Sequence, residues 1–206
     1  MPYRRTTAVQ ARLDAGRERL LVSAVDILSE QGYRGLSIAS VAAAAGVSAG
    51  SVYTHFENKS ALVVAVFREV CSREVRAVAE AAAGGDVVQR VSAIVETFAG
   101  RAMKNRTMAY ALLAEPVDPA VDAERLVFRR SFTDAIAGAV AEGVRSGDIP
   151  AQNVDLAAAG LVGAIGEVLI GPLSPDRAGP NFDIENDLDV VPDLVTFALR
   201  SLGVSS

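Results

Sequence analysis

The chain has 206 residues, half of them apolar, with 5% aromatics and no tryptophan; that is enough for one or two domains with a real core, and the abundance of alanine without sustained period-2 alternation favours helices over strands. A single cysteine, Cys71, and a single histidine, His55, exclude an internal disulfide and a His-rich metal site, and fit a reducing, cytoplasmic setting. The net charge of −5 is unevenly placed: residues 1–60 carry seven basic against five acidic side chains and residues 61–206 thirteen against twenty, so the acidic total does not exclude a nucleic-acid partner for the N-terminal part.

Five arginines and two acids fall within the first 19 residues, so residues 1–13 read as a basic, disordered arm. From about Asp14 to Gln31, apolar side chains at Leu21, Ala24, Val25 and Leu28 recur at helical spacing, and Gly32 supplies the stop. The segment Leu20–Leu28 is interrupted by Asp26 and has no cleavage-site pattern after it, which argues against a signal peptide. Ser37 is a suitable N-cap for a second helix that buries Ile38, Val41, Ala42 and Ala45, ended by Gly46. Ser48 then caps a short third helix over about Ala49 to His55, with Val52 and Phe56 four residues apart to face inward. This is helix, tight turn, helix. Asn58 opens a fourth helix, 58–83, which connects residues 14–60 to a second unit, 61–206.

Further helices are predicted over about 86–104, 106–114, 119–146, 152–171 and 186–202, giving about nine in all, separated by Pro116 and Pro119, by the segment 147–150, and by a proline-rich loop near 171–183. Between Asp155 and Glu167 only 11 residues run without a charge, too few to cross a bilayer, so no membrane partner is expected. No Ser-His-Asp set, Cys/His cluster or phosphate loop is present, so neither an enzyme nor a cofactor nor a metal is expected.

The third helix has the chemistry of a DNA contact. The major groove, about 12 Å wide, admits one helix if nothing bulky holds the backbones apart. Ala49, Gly50 and Ser51 are small, and the free N–H groups of a helix start favour a phosphate. The phenol of Tyr53, the imidazole of His55 and the ammonium of Lys59 suit phosphate oxygens, and Arg4 or Arg5 could reach a minor groove. A tyrosine or histidine taken singly is more often a packing residue; the weight lies in the joint arrangement.

The run SIASVAAAAGVSAGSVYTHFENKSAL, Ser37 to Leu62, resembles the helix-turn-helix of the TetR (tetracycline repressor) family, and RERLLVSAVDILSEQGYRGLS resembles the family's first helix and its Gly-Tyr exit, so the likeness covers about residues 17–65. Ser37 stands where threonine is usual, and Ala39, Ser40 and Ala43 leave the second helix without its common basic side chain. The resemblance implies an N-terminal three-helix DNA-binding domain and a C-terminal helical ligand-binding and dimerisation domain. It implies a homodimer on a palindromic double-stranded operator, acting as a repressor released by a small-molecule effector. Ser37, Ser48, Tyr53, His55 and Lys59 would then meet phosphates, with Ala49, Ser51 and Thr54 nearest the base edges.

For a largely apolar effector the candidates on the fourth to seventh helices are Phe67, Phe98, Met103, Met108 and Tyr110, with Leu112, Phe128, Phe132 and Ile136. For the dimer face the resemblance suggests Ala157, Gly160, Leu161, Ala164 and Val168 on one helix, and Leu188, Val191, Leu194, Val195 and Leu199 on the last. A helical small-molecule sensor or carrier with weak DNA binding is the alternative that the acidic bulk leaves open.

Overall fold

The computed structural model describes residues 7–175 and 190–204, which form nine helices and no strand. Arg4, Arg5 and Leu188 lie outside the described residues.

α1 runs from Thr7 to Gly35, beginning seven residues before the expected start. The side chains of residues 7–12 are exposed, and Gln10 donates to Asp14 at 2.9 Å. Alanine, glutamine, arginine and leucine carry the helix outward on propensity alone, which apolar periodicity does not detect. Near its end Gly32 takes φ 65°, a left-handed conformation that breaks the regular helix and turns Tyr33 inward.

α2 (Ile38–Ala44) starts at Ser37, whose Oγ accepts the Ser40 amide at 3.0 Å while Ser40 Oγ accepts the Ser37 amide at 2.9 Å. That reciprocal cap is formed by serine where glutamate or glutamine is usual. Gly46, at φ 67°, makes the turn to α3 (Ala49–Tyr53), which stops two residues short of the expected end. α4 (Lys59–Ala81) is capped by Asn58. Val41, Val52, Phe56, Leu62 and Val66 close a first core with Leu20, Ala24 and Leu28 of α1. Each of these valine, leucine and phenylalanine side chains contributes about 1.5–3 kcal/mol by leaving water.

α5 (Val87–Lys104), α6 (Arg106–Leu113), α7 (Pro119–Ser146), α8 (Val154–Leu173) and α9 (Val190–Ser201) follow. A second core gathers Val95, Ala99, Val140, Ile149, Leu169 and Leu202. At Gly143 a Cβ would lie 2.7 Å from both Val87 and Ile149, so α7 meets the start of α5 through bare backbone.

The two cores share α4, with Leu62 to Cys71 in the first and Val78 in the second. Ala111 of α6 and Val121 of α7 return to the first core, so residue 60 marks no break in packing. Between Cys71 and Val78 no α4 side chain is buried, so the helix enters the two cores at separate stretches.

α8 differs from the expectation in one respect. It is long and apolar enough to cross a membrane by length and composition, with mean hydropathy 1.8 over its best window. It carries Asp155 and Glu167, however, and its Ala158, Leu161, Ile165 and Leu169 fill the second core. Apolarity all round it serves a core on one side and leaves an open face on the other.

Candidate functional site

The exposed end of the first three helices is α3. Val52 and Phe56 point into the core beneath it, fixing its seat, while Ser48, Ala49, Gly50, Tyr53 and Thr54 are exposed and Ser51 half-buried. Ser48 Oγ accepts the Ser51 amide at 3.2 Å, so the cap hydroxyl orients the helix start. Gly50 needs no positive φ, and a Cβ there would meet only Ser48 Oγ at 3.7 Å. Nothing inside the protein requires that glycine. Its bareness faces outward.

Tyr53 is 55% exposed. His55 is half-buried against α1, where a Cβ on Gly16 would come 3.0 Å from His55 Nε2. Arg17 lies over the Phe56 ring at 5.2 Å, stacking α1 on the same corner. Lys59 is exposed at the first residue of α4. Ser37 is half-buried, its hydroxyl already engaged in the α2 cap. One surface therefore carries hydroxyls, a phenol, an imidazole edge and an ammonium around a bare helix start.

Behind this tip, α4 to α8 enclose a cavity of about 600 Å³, within the range of small-molecule sites. Seven of the nine predicted pocket residues line it: Phe67, Phe98, Met108, Leu112, Phe128, Phe132 and Ile136. Phe67 meets Phe128 edge-on at 5.6 Å between ring centroids, and Phe98 meets Phe132 at 4.9 Å, so two aromatic pairs brace α7 against α4 and α5.

Met103 and Tyr110 do not line the cavity; they pack on the second core instead. On α5 the lining stripe is Ile94, Val95, Phe98, Arg101 and Ala102, a single helical face from which Met103 is rotated away.

Polar groups at the cavity tie it to α1. Arg125 donates to the carbonyls of Ala111, Leu112 and Glu115, at 2.8, 2.9 and 2.6 Å, and pairs with Asp122 at 2.7 Å. It thus holds the exit of α6. The buried carboxylate of Glu115 then accepts the Tyr33 amide at 2.9 Å, next to Gly32. At the other end of α6, Asn105 donates from Nδ2 to Ser29 Oγ while its Oδ1 accepts the Met108 amide at 3.1 Å. α6 is therefore strapped to α1 at both ends. Sequence reasoning passed over Glu115 and Asn105 because a carboxylate or an amide beside a loop ordinarily reads as solvated or capping.

Cys71 also lines the cavity, and burial, reinforced by nearby Glu74, pushes its thiol well above the usual range, which favours the neutral form. Burial likewise raises the Tyr33 phenol, whose OH has no partner among the described residues.

The predicted dimer face divides. Leu161 and Leu194 are buried within the protomer, in the second core. α8 is apolar on more than one face, so periodicity alone could not choose which of its sides points out. Gly160 and Val168 are exposed; Ala157, Ala164, Val191, Val195 and Leu199 are half-buried. On the same two helices Leu156 is 72% exposed and Phe197 47% exposed.

The profile of the tetR family of bacterial regulatory proteins matches residues 20–66. A helix-turn-helix transcriptional regulator from Pseudomonas putida, CymR, is 36% identical over 94 residues, 44% of this chain and 45% of that protein. The transcriptional activator FasR of Mycolicibacterium smegmatis is 29% identical over 153 residues, 72% of this chain and 68% of its own. The aligned region thus spans less than half of the first relative and about two-thirds of the second. In fold, the chain is similar to the regulator FadR of Bacillus subtilis solved with stearoyl-CoA, at TM-score 0.69 and 20% identity, over 91% of this chain and 97% of that one.

Proposed function

We propose that this chain, which belongs to the tetR family of bacterial transcriptional regulators, works in the cytoplasm as a homodimeric repressor that leaves a palindromic operator when a largely apolar small molecule fills the cavity. The observation that carries this reading is α3: a bare, exposed helix start, seated from beneath by Val52 and Phe56 and flanked by Tyr53, His55 and Lys59. In the major groove, Ala49, Ser51 and Thr54 would approach base edges, while Ser37, Ser48, Tyr53, His55 and Lys59 position the helix on phosphates.

Two copies are needed to read two half-sites about 34 Å apart. The exposed side of α8 and α9 supports a twofold contact: Leu156 and Phe197 are uncovered, and a Cβ on Gly160 or Gly163 would meet nothing within 4 Å. A helix that carries glycines facing open space loses about 0.5–1 kcal/mol at each, a cost that close approach of a second helix offsets.

Release follows from the straps on α6. A ligand wedged among Met108, Leu112 and Phe128 presses on α6 and α7, and the Arg125–Glu115–Tyr33 series carries that displacement to the end of α1, from which α2 and α3 hang. The shift requires that the ligand bind the DNA-free arrangement more tightly, commonly by about 1–3 kcal/mol. Activation is the second reading, favoured by the M. smegmatis relative, which is an activator.

Selection of bound duplexes from a random pool tests the proposal. A palindromic consensus with half-sites one helical turn apart is expected; a pool that enriches no sequence favours the sensor with little DNA affinity.

A further inference from the structure

Charge around the cavity does not balance. Five charged side chains line it: Glu74, Arg101, Asp122, Arg125 and Arg129. Glu74 is held by Arg101 in a two-point pair at 2.6 and 2.9 Å, and Asp122 by Arg125 at 2.7 Å. Both acids are thereby neutralised. Arg129 is exposed, and among the described residues its guanidinium has neither an ion pair nor a hydrogen bond.

Its position gives that surplus a direction. Arg129 follows Arg125 by one turn of α7 and precedes Phe132 by three residues, on the lining face of that helix. Leu126, beside it, is 64% exposed although it lines the cavity, so this part of α7 forms the mouth. Away from the mouth stand Ile165, the Phe98–Phe132 pair, and Gly166, where a Cβ would meet nothing within 4 Å. The space is apolar within and cationic at one rim.

The structure assigns to this cavity an amphiphile with an apolar body and a single anionic terminus, a carboxylate or a phosphate, whose head is held by Arg129. The assignment rests on the cavity being the effector site, and it goes further by naming the ligand's charge and the residue that selects it. An arginine suits either oxyanion because its planar fork donates two parallel N–H bonds. The apolar body supplies affinity; the rim decides between equally apolar molecules.

Displacement of Nile red, a neutral dye, from the full chain by decanoate, decyl phosphate, decanol and decylamine, each below its aggregation concentration, tests this. In the wild type the better of the two anions should act at about fivefold lower concentration than decanol, the scale of a partly exposed ion pair, and decylamine should be weakest. The better anion identifies the head group. Arg129→Gln should bring anion and alcohol to the same midpoint, Arg129→Glu should invert the order in favour of decylamine, and Arg130→Gln should change nothing; decanol serves in all three as the measure of an intact cavity. Equal midpoints for anion and alcohol in the wild type, or an anion preference that survives Arg129→Gln, overturn the assignment. Failure of decanol to displace the dye removes the cavity as an amphiphile site, and the assignment with it. If the anion binds as expected and leaves operator affinity unchanged, only the effector role falls.

Discussion

Glu115 Oε2 accepts the backbone N–H of Tyr33 at 2.9 Å, joining two residues 82 positions apart where α1 ends and the loop after α6 begins. A Cβ at the neighbouring Gly32 would stand 2.8 Å from the same oxygen, so glycine with φ 65° is what lets the carboxylate reach. The hydrogen bond joins the helix that positions α2 and α3 to the segment that Arg125 holds at the cavity.

Glu115→Ala leaves a buried amide without an acceptor, at a cost of about 1–3 kcal/mol. Denaturant unfolding should show that loss, and Glu115→Gln, which keeps an acceptor oxygen, should show less of it. A wild-type midpoint for the alanine variant would mean that the strap contributes nothing.

Gly50 separates fold from function. Since a Cβ there fits at 3.7 Å from Ser48 Oγ, Gly50→Ala should leave thermal stability equal or higher by up to about 1 kcal/mol. The same methyl should weaken operator binding, because it holds α3 away from the groove floor. Unaltered affinity would show that this edge does not meet DNA.

Lys59 should act through charge. For Lys59→Ala, the plot of log affinity against log salt should flatten by about 0.9 for each phosphate that the dimer no longer neutralises, with little change in which sequence is preferred. Arg4→Ala with Arg5→Ala should flatten it similarly if the N-terminal arm lies along DNA. An unchanged slope would remove the side chain concerned from the interface.

The part of the architecture most legible in the sequence was the part fixed locally. Ser37, Ser48 and Asn58 are caps that read directly as helix starts, and Val52 with Phe56 announces the buried side of α3 by spacing alone. The cavity was legible in outline, since aromatic and methionine side chains on adjacent helices tend to meet. Met103 and Tyr110 went astray because one residue along a helix turns a side chain by about 100°. Glu115, Asn105 and the inward turn of Leu161 and Leu194 depend on which helices become neighbours, and no local pattern encodes that.

Cys71 gives a pH prediction. Burial raises its thiol pKa, so the stability tied to the protonated form is complete below the unfolded value of about 8.5 and declines as pH rises above it toward the folded value. Between pH 8.5 and 10 the wild type should lose of the order of 1 kcal/mol that Cys71→Ala does not lose. Parallel alkaline profiles for the two proteins would contradict a buried, neutral thiol.

The most direct test of the account is binding of the wild-type chain to its selected duplex, followed by fluorescence anisotropy from 50 to 200 mM salt. Tight binding at the low end that falls steeply as salt rises, with two chains on each duplex, is the predicted result. A chain that ignores duplex DNA even at 50 mM salt would contradict the reading of α3 on which everything else is built.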